Sequence, residues 1–571
     1  MARGKWQRLR ISFILWSLVF LFELLLVRLF WIQCIKHDNF CELAQKQYRI
    51  KVELPAERGE IFDRYGRLLA TSLPAASVYL DPLLATDLQA TSKELARTLD
   101  LDEQRLTKFI LQRKHRRFIW IKRKVSPEEA GAVKRLNLAG VGFRKESKRL
   151  YPQSTLAAPL LGFVGLDGEG LAGLEQSFEE TLRGRPGYKV LLRDGRRGTI
   201  DSGLPSKAPE HGSSLVLTID VVIQQIVEEE LAQALKEWEP NGAVGIVLHP
   251  KTGHILALAS APSFDPNNFA RYPQKTWVNR CVSYSFEPGS VIKPLIAAAA
   301  LQEGLAAPED LFFCENGLYR IGSRLFHDHH PYGWLTLSEI VAKSSNVGMA
   351  KLGETLGAER LYGYFRAYGF GQETNISLPG EATGILRPLN KWTSYSVTSV
   401  SVGQEIAATP LQLAAAFCAI ANDGVLPAST LVRGIIDKEG KVIKPRSQGS
   451  RIILEPHIAR VMRREIMRRV VEEGTGKQAR LSRWSIAGKT GTAQKAIPGG
   501  YSHTKFISSF IGMAPAEESR AVVLVMIDEP HRGGSYYGGT VAAPVVARIF
   551  ERILAYLQVE PEDLPLRMAR Y

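Results

Sequence analysis

The stretch Ser285-Phe-Glu-Pro-Gly-Ser-Val-Ile-Lys-Pro-Leu295 organises the reading of the whole chain. Within it Ser290 and Lys293 form Ser-x-x-Lys, and Leu295-Ile-Ala-Ala-Ala-Ala-Leu301 follows as a run of strong helix formers. Pro288-Gly289 reads as a turn feeding a helix N-terminus. Positions i and i+3 share one helix face, so the lysine amine is expected beside the serine hydroxyl. A serine becomes a useful nucleophile when a neighbouring base takes its proton. A lysine can be that base when burial or nearby cations lower its pKa, and the apolar flanks here suit burial. Ser-x-x-Lys alone is weak, because two spaced residues recur by chance in a long chain.

Two further motifs follow in order. Lys343-Ser-Ser-Asn-Val-Gly348 supplies Ser344-x-Asn346, and Ala487-Gly-Lys-Thr-Gly-Thr-Ala493 supplies Lys489-Thr-Gly. The ordered trio is the signature shared by penicillin-binding proteins and class A β-lactamases. A second Lys-Thr-Gly at Lys251-Thr252-Gly253 precedes Ser290 and sits in a turn between two apolar runs, Gly242–Leu248 and His254–Ser260. It is read as turn chemistry. A Walker A reading of Gly488-Lys489-Thr490 fails, because its first glycine would fall at Arg483.

The 571 residues exceed what one core can organise, so two or three domains are expected. The net charge of +15 suits an anionic lipid or polymer. No zinc-finger spacing, RNP-type motif or heptad-linked basic region points to nucleic acid. Five cysteines (Cys34, Cys41, Cys281, Cys314, Cys418) are an odd number and too sparse for a disulfide framework. On one helix Cys34 and Cys41 would lie about 10 Å apart, too far to bridge.

Met1–Arg10 carries Arg3, Lys5, Arg8 and Arg10 with no acid, and Ile11–Gln33 is apolar apart from Ser12, Ser17, Glu23, Arg28 and Gln33. That length spans a bilayer, and the basic tail places the N-terminus in the cytoplasm. No small-residue cleavage site follows, so the segment is read as an uncleaved anchor with the remainder extracytoplasmic. Glu23 inside the span is expected to face a partner, to pair with Arg28 or to snorkel.

Further along, Arg58–Ala70 reads as a strand, a tight Tyr65-Gly66 turn and a second strand. Arg105–Lys124 holds nine Lys or Arg and no acid, the pattern of a solvated face. Residues 201–214 have linker composition. Asp220 is expected to cap a helix with Ile223, Ile226, Val227, Leu231, Ala234, Leu235 and Trp238 on one stripe. His327-Asp-His-His330 lacks a second ligand cluster at zinc-like spacing and reads as a polar loop. Phe506–Ala514 and Ala521–Asp528 read as buried strands, Val541–Leu557 as a helix and Glu560–Tyr571 as a polar tail.

The chain resembles the class B penicillin-binding proteins, and most of all their septal FtsI (penicillin-binding protein 3) type. The resemblance rests on Arg58-Gly-x-Ile-x-Asp-Arg-x-Gly66, Gly170-x-x-Gly173-x-Glu175, Phe286-Glu-Pro-Gly-Ser290 and Ser344-Ser-Asn346. It continues through Gly474-Thr-Gly476, Ala487–Gln494 and Tyr536-Tyr-Gly-Gly539. Gly403-Gln-Glu-Ile406 departs from the aromatic version of many septal enzymes.

The resemblance implies a multidomain α+β protein: a single transmembrane helix, an elongated mixed α/β pedestal and a transpeptidase domain with a central antiparallel sheet between helix layers. The implied boundaries are a cytoplasmic tail (1–10), the anchor (11–33), the pedestal or dimerisation domain (34–200), a linker (201–215), the transpeptidase domain (216–557) and a polar tail (558–571).

It also implies a serine D-Ala-D-Ala transpeptidase that crosslinks peptidoglycan stem peptides, binds β-lactams and works beside an FtsW-type membrane glycosyltransferase and other division proteins, with no metal or nucleotide. Ser290 is then the nucleophile, Lys293 its base, Ser344 a proton relay and Asn346 the ligand of the donor amide. Lys489, Thr490, Gly491 and Thr492 form the strand that receives the terminal carboxylate, with the Thr492 N–H as second oxyanion donor. Lateral-wall duty, D,D-carboxypeptidase activity and a β-lactam-binding scaffold are the alternatives.

Overall fold

The computed structural model describes residues 2–193, 199–200, 206–322, 324–444 and 449–562. The expected polar tail lies, from residue 563 on, outside the described residues. The chain separates into two compact units, Met1–Glu57 with Gly184–His211, and Arg58–Arg183 with Gly212–Tyr571.

In the first unit an apolar helix runs Ala2–Phe30 and passes through a π-helical turn, Trp31–Ile35, to a second helix at His37–Tyr48. The stretch Gly4–Ile35 is long and apolar enough to cross a membrane. Its side chains are exposed to the surroundings, as a bilayer-facing helix requires. Glu23 is exposed on this helix, and Arg28 stacks over the Trp31 ring at 4.8 Å. Strands Arg49–Leu54 and Gly187–Arg193 pair antiparallel in the same unit. Ser206–Lys207, expected as linker, adds a short strand to Tyr188–Lys189, while residues 201–205 are outside the described residues.

The second unit begins where the sequence reading put a pedestal. Ile61–Phe62 and Leu68–Leu80 pair antiparallel around the Tyr65-Gly66 turn, as expected. Ile61–Phe62 also pairs in parallel with Ser214–Leu217, which pairs in turn with Val432–Ile436. A strand thus stands at the expected linker's end, and hydrogen bonding carries the seven-stranded sheet across the expected domain boundary. That is why residues 58–183 pack with the C-terminal part of the chain.

Glu175 is fully buried here, bonded to Arg58 at 2.6 Å, Arg149 at 2.7 Å and the Tyr151 hydroxyl at 3.3 Å. Its role is to neutralise two buried guanidinium groups. The basic run 105–124 is only partly a solvated face, since Lys122 pairs with Glu129 and Arg123 with Glu146 and Asp167.

The C-terminal part holds a five-stranded antiparallel sheet. Asp220 caps helix α1 (Val221–Trp238) by accepting from the Val222 N–H at 3.0 Å. Strands β1 (Gly242–Leu248) and β2 (Ile255–Ala261) form the expected hairpin, with Lys251 exposed in the turn and paired to Glu518. Helix α2 (Lys293–Gln302) carries the serine motif, and α3 (Leu337–Lys343) and α4 (Asn346–Tyr368) flank the Ser-x-Asn motif. Strand β3 (Ala487–Ile497) carries Lys-Thr-Gly and pairs with β4 (Gly500–Ala514), which pairs with β5 (Ala521–Asp528). The spatial order β2-β1-β5-β4-β3 leaves β3 at the edge.

Strand β1 is buried along its whole length, as a sheet covered on both faces demands. Ala243 and Val247 share a buried cluster with α1 and α5 (Ala543–Tyr556), whereas Val244, Ile246 and Leu248 belong to the cluster on the other face, where the helix Pro410–Ala421 lies against the sheet. The central antiparallel sheet between helix layers is therefore present. Past α5, the Glu560 carbonyl accepts from the Trp484 indole, so the first residues of the tail are tied down.

Candidate active site

Three elements bring the three motifs together. A 3-10 turn, Gly289–Ile292, leads into α2, placing Ser290 at the entry and Lys293 one turn later. Gly289 has φ 54°, a left-handed conformation that glycine adopts without a Cβ penalty. A Cβ on Gly491 would lie 2.4 Å from Val291, so only glycine lets β3 lie against this turn.

Helix α3 ends at Ser344, itself in the left-handed region at φ 61°, and α4 restarts at Asn346 with Ser345 as its N-cap. The break turns the Ser344 and Asn346 side chains toward Lys293. A non-glycine residue held at such a φ stores strain that the surrounding packing must support.

The Lys293 Nζ is completely buried and lies 2.7 Å from the Ser344 carbonyl, 3.3 Å from the Ser344 hydroxyl, 3.2 Å from the Ser345 carbonyl and 2.8 Å from Asn346 Oδ1. The equally buried Lys489 Nζ donates to the Ser344 hydroxyl at 3.0 Å and to the Thr490 carbonyl at 3.1 Å. Ser344 thus stands between the two lysines. Thr490 is fixed by the Thr475 hydroxyl at 2.7 Å, and the Thr492 hydroxyl accepts from the Gly538 N–H at 3.0 Å.

Among the described residues no hydrogen bond joins Lys293 to Ser290, whose half-buried hydroxyl has no side-chain partner. Two carbonyl oxygens and an amide oxygen converge on the amine from the Ser344–Asn346 turn and hold it there. Such bonds are often completed only when substrate fills the site.

Burial pulls Lys293 down to about 7, with the Asp328 carboxylate opposing the shift. Burial, then the neighbouring Lys293 charge, holds Lys489 well below the ordinary lysine range. Two like charges sharing one hydroxyl in a dry site cannot both be kept cheaply. Burial thus favours the neutral, proton-accepting form of both amines.

Sequence reasoning treated Asp328 only as part of a polar loop. It accepts from the Asn346 N–H and, at 3.1 Å, from the Val347 N–H, while its other oxygen accepts from the Ser345 hydroxyl at 2.6 Å. One carboxylate thus caps α4 and orients the Ser-x-Asn turn. No spacing rule links it to Asn346 across the intervening strand Trp334–Thr336 and helix α3. Its neighbour His329 meets the Tyr537 ring edge-on at 5.8 Å, joining the His327–His330 loop to the Tyr536–Gly539 box. Among the described residues there is no cluster of ligands able to hold a metal.

Comparison with known proteins gives a consistent picture. The penicillin binding protein transpeptidase domain matches residues 243–551, and the penicillin-binding protein dimerisation domain matches residues 53–217. The chain is 35% identical to stage V sporulation protein D of Bacillus subtilis, over 97% of this chain and 86% of that protein. It is 32% identical to the peptidoglycan D,D-transpeptidase FtsI of Escherichia coli, over 95% of this chain and 90% of that protein. Among solved structures it is similar to a peptidoglycan synthetase from Bifidobacterium adolescentis, with TM-score 0.73 and 29% identity over 90% of this chain and 98% of that one. It is also similar to penicillin binding protein 3 of Mycobacterium tuberculosis in complex with aztreonam, with TM-score 0.71 and 28% identity over the same shares.

Proposed function

The chain belongs to the class B penicillin-binding proteins and is a peptidoglycan D,D-transpeptidase, and we propose which residues carry that reaction and where in the cell it acts. The single observation that supports the residue roles best is the Ser344 hydroxyl bridging Lys293 and Lys489.

Ser290 attacks the carbonyl of the penultimate D-alanine, and Lys293, whose neutral form burial favours, takes its proton. The oxyanion is held by the Ser290 N–H at the helix entry and the Thr492 N–H on the edge strand. Lys489, Thr490 and Thr492 receive the terminal carboxylate, with Gly491 keeping the strand close to the serine turn. The arriving carboxylate favours protonation of Lys489. Ser344 then passes a proton toward the departing D-alanine, while Asn346 holds the donor amide. An amine from a second stem peptide takes the acyl group and leaves the crosslink.

Asp328 supports this arrangement as a positioning residue. Residues 34–200 serve as pedestal and 216–557 as the catalytic domain, a division supported by the two family matches. The anchor (11–33) fixes the enzyme in the cytoplasmic membrane, with residues 1–10 inside and the catalytic domain outside, beside an FtsW-type polymerase.

Septal synthesis during division is the favoured duty, supported by the FtsI-like Phe286-Glu-Pro-Gly-Ser290 box. Lateral-wall duty is the second reading, favoured by the non-aromatic Gly403–Ile406 segment. A fluorescent fusion separates them: accumulation at midcell supports septal duty, and an even sidewall signal overturns it. Crosslinked dimers formed from pentapeptide-bearing glycan by the purified full chain test the activity against simple carboxypeptidase action, which yields trimmed monomers only.

A further inference from the structure

A cavity of about 710 Å³ lies outside the Lys293–Ser344–Lys489 cluster, lined by Tyr284, Glu287, Arg387, Glu405, Gln494 and Lys495 among others. Its place follows from the backbone. A Cβ on Gly491 would meet Val291 and the Pro288 carbonyl, and one on Gly289 would meet Ala493. The Pro288–Val291 turn therefore lies along Gly491–Ala493, and Gln494–Ala496 continues the same strand into the cavity wall. Glu287, three residues before Ser290, lines the same cavity.

The charges in this cavity are unequal in their partners. Arg387 is paired with Glu405, which also accepts from the Ser396 hydroxyl at 2.8 Å. Lys495 reaches Asp528 and Glu529, both at 2.6 Å. Glu287 has no cation among the described residues. Its Oε1 accepts from the Glu405 N–H and the Tyr501 hydroxyl, each at 3.0 Å, and its Oε2 has no donor among them. Burial raises its carboxyl pKa, the two donors oppose that rise, and the nearby Glu405 charge adds to it. A half-buried carboxylate without a counter-charge is costly, and a cation entering from solvent relieves the cost.

We propose that this cavity takes the primary ammonium end of a diamino-acid side chain on a peptidoglycan stem peptide, with Glu287 as its counter-charge. The inference rests on the transpeptidase reading of Ser290. Two sources share this chemistry, the acceptor stem whose amine attacks the acyl-enzyme and the donor stem that forms it. For the acceptor the step balances: the ammonium gives one proton to Glu287, the C–N bond forms as the C–Oγ bond to Ser290 breaks, and the amine's second proton restores the Ser290 hydroxyl through Lys293.

The test uses the full chain in detergent with a D-Ala-D-Ala donor peptide, its side-chain amine either free or acetylated. Each donor is run with and without an acceptor tripeptide ending in a diamino acid, and each rate is divided by benzylpenicillin acylation of the same sample. In Glu287→Gln one preference is expected to fall about tenfold, the usual weight of one hydrogen bond to a charged group. A lower ratio of aminolysis to hydrolysis identifies the acceptor as the source. A lost preference for the free-amine donor identifies the donor stem. Glu287→Asp, which keeps the charge, is expected to restore most of the preference. Both ratios unchanged in Glu287→Gln overturn the proposal, as does an equal loss with every peptide in both variants. Benzylpenicillin labelling of the wild type, read separately, decides the underlying assignment of Ser290.

Discussion

Lys489 donates to the Ser344 hydroxyl at 3.0 Å across 145 residues of sequence, and that same oxygen lies 3.3 Å from the Lys293 amine. In the proposed mechanism this hydroxyl, shared by two buried amines, links the group that receives a carboxylate to the group that moves a proton. On that reading, a carboxylate bound at one end would favour a changed charge state at the other. The predictions below follow from that link and from the frame that holds it.

The two Lys-Thr-Gly sequences are expected to respond oppositely to truncation. Lys489→Ala removes the buried cation facing the substrate carboxylate and is expected to slow β-lactam acylation by about a hundredfold or more, the scale of losing one preorganised charge-stabilising donor. Lys251→Ala removes an exposed pair with Glu518 and is expected to change neither acylation nor thermal unfolding measurably. Stopped-flow acylation of both variants checks this, and an inactive Lys251→Ala would reverse the assignment.

Acylation is expected to depend on pH through Lys293. Its amine is pulled down to about 7 by burial, so the neutral, proton-accepting form gains as pH rises through that value. The acylation rate is expected to fall about tenfold per unit of pH well below 7 and to level off above it. Asp328 raises the Lys293 pKa, so Asp328→Asn is expected to move the acidic limb to lower pH as well as loosening the Ser345–Asn346 turn. An unmoved limb would leave Asp328 with a structural role only.

Glu175 tests the frame apart from the chemistry. Glu175→Ala leaves Arg58 and Arg149 buried without their shared carboxylate and is expected to cost roughly 3–5 kcal/mol, the range for breaking a buried ion pair. Thermal unfolding is expected to shift down, while acylation per folded molecule stays near the wild-type rate. A loss of acylation with unchanged unfolding would place Glu175 in the chemistry instead.

Glu23 tests the anchor. It is exposed on the apolar helix, and the other charge of the apolar segment 11–33, Arg28, stacks on Trp31. Glu23→Leu is expected to leave membrane insertion intact and to weaken co-purification with a membrane-embedded polymerase. Unchanged recovery of the polymerase would make Glu23 a tolerated interfacial charge.

Much of the site was legible because its motifs are local. A nucleophile and base one helical turn apart, a turn ending in serine and asparagine, and a strand alternating hydroxyls and glycine each announce themselves in a few residues. Strands Phe506–Ala514 and Ala521–Asp528 were legible for a similar reason, being apolar runs buried on both faces. Asp328 was not, since its partners stand beyond a strand and helix α3 and only the folded chain brings them together. The strand Ser214–Leu217 ties residues 58–183 to the catalytic sheet, but loop-like composition just before it hid that connection. The Lys293 amine bonds to the Ser344–Asn346 turn for a reason no spacing rule holds, the convergence of backbone carbonyls at the α3–α4 break.

The most direct measurement is intact-mass spectrometry of the full chain in detergent after exposure to benzylpenicillin. A β-lactam mimics the D-Ala-D-Ala end, and its opened ring stays attached and blocks the incoming amine. The account predicts one added drug mass on the wild type, stable for minutes, and none on Ser290→Ala. It also predicts nearly unchanged unfolding for that variant, because a single half-buried hydroxyl contributes little stability. Labelling that persists in Ser290→Ala would contradict the central claim, and a wild-type adduct that clears within seconds would point to β-lactam hydrolysis instead.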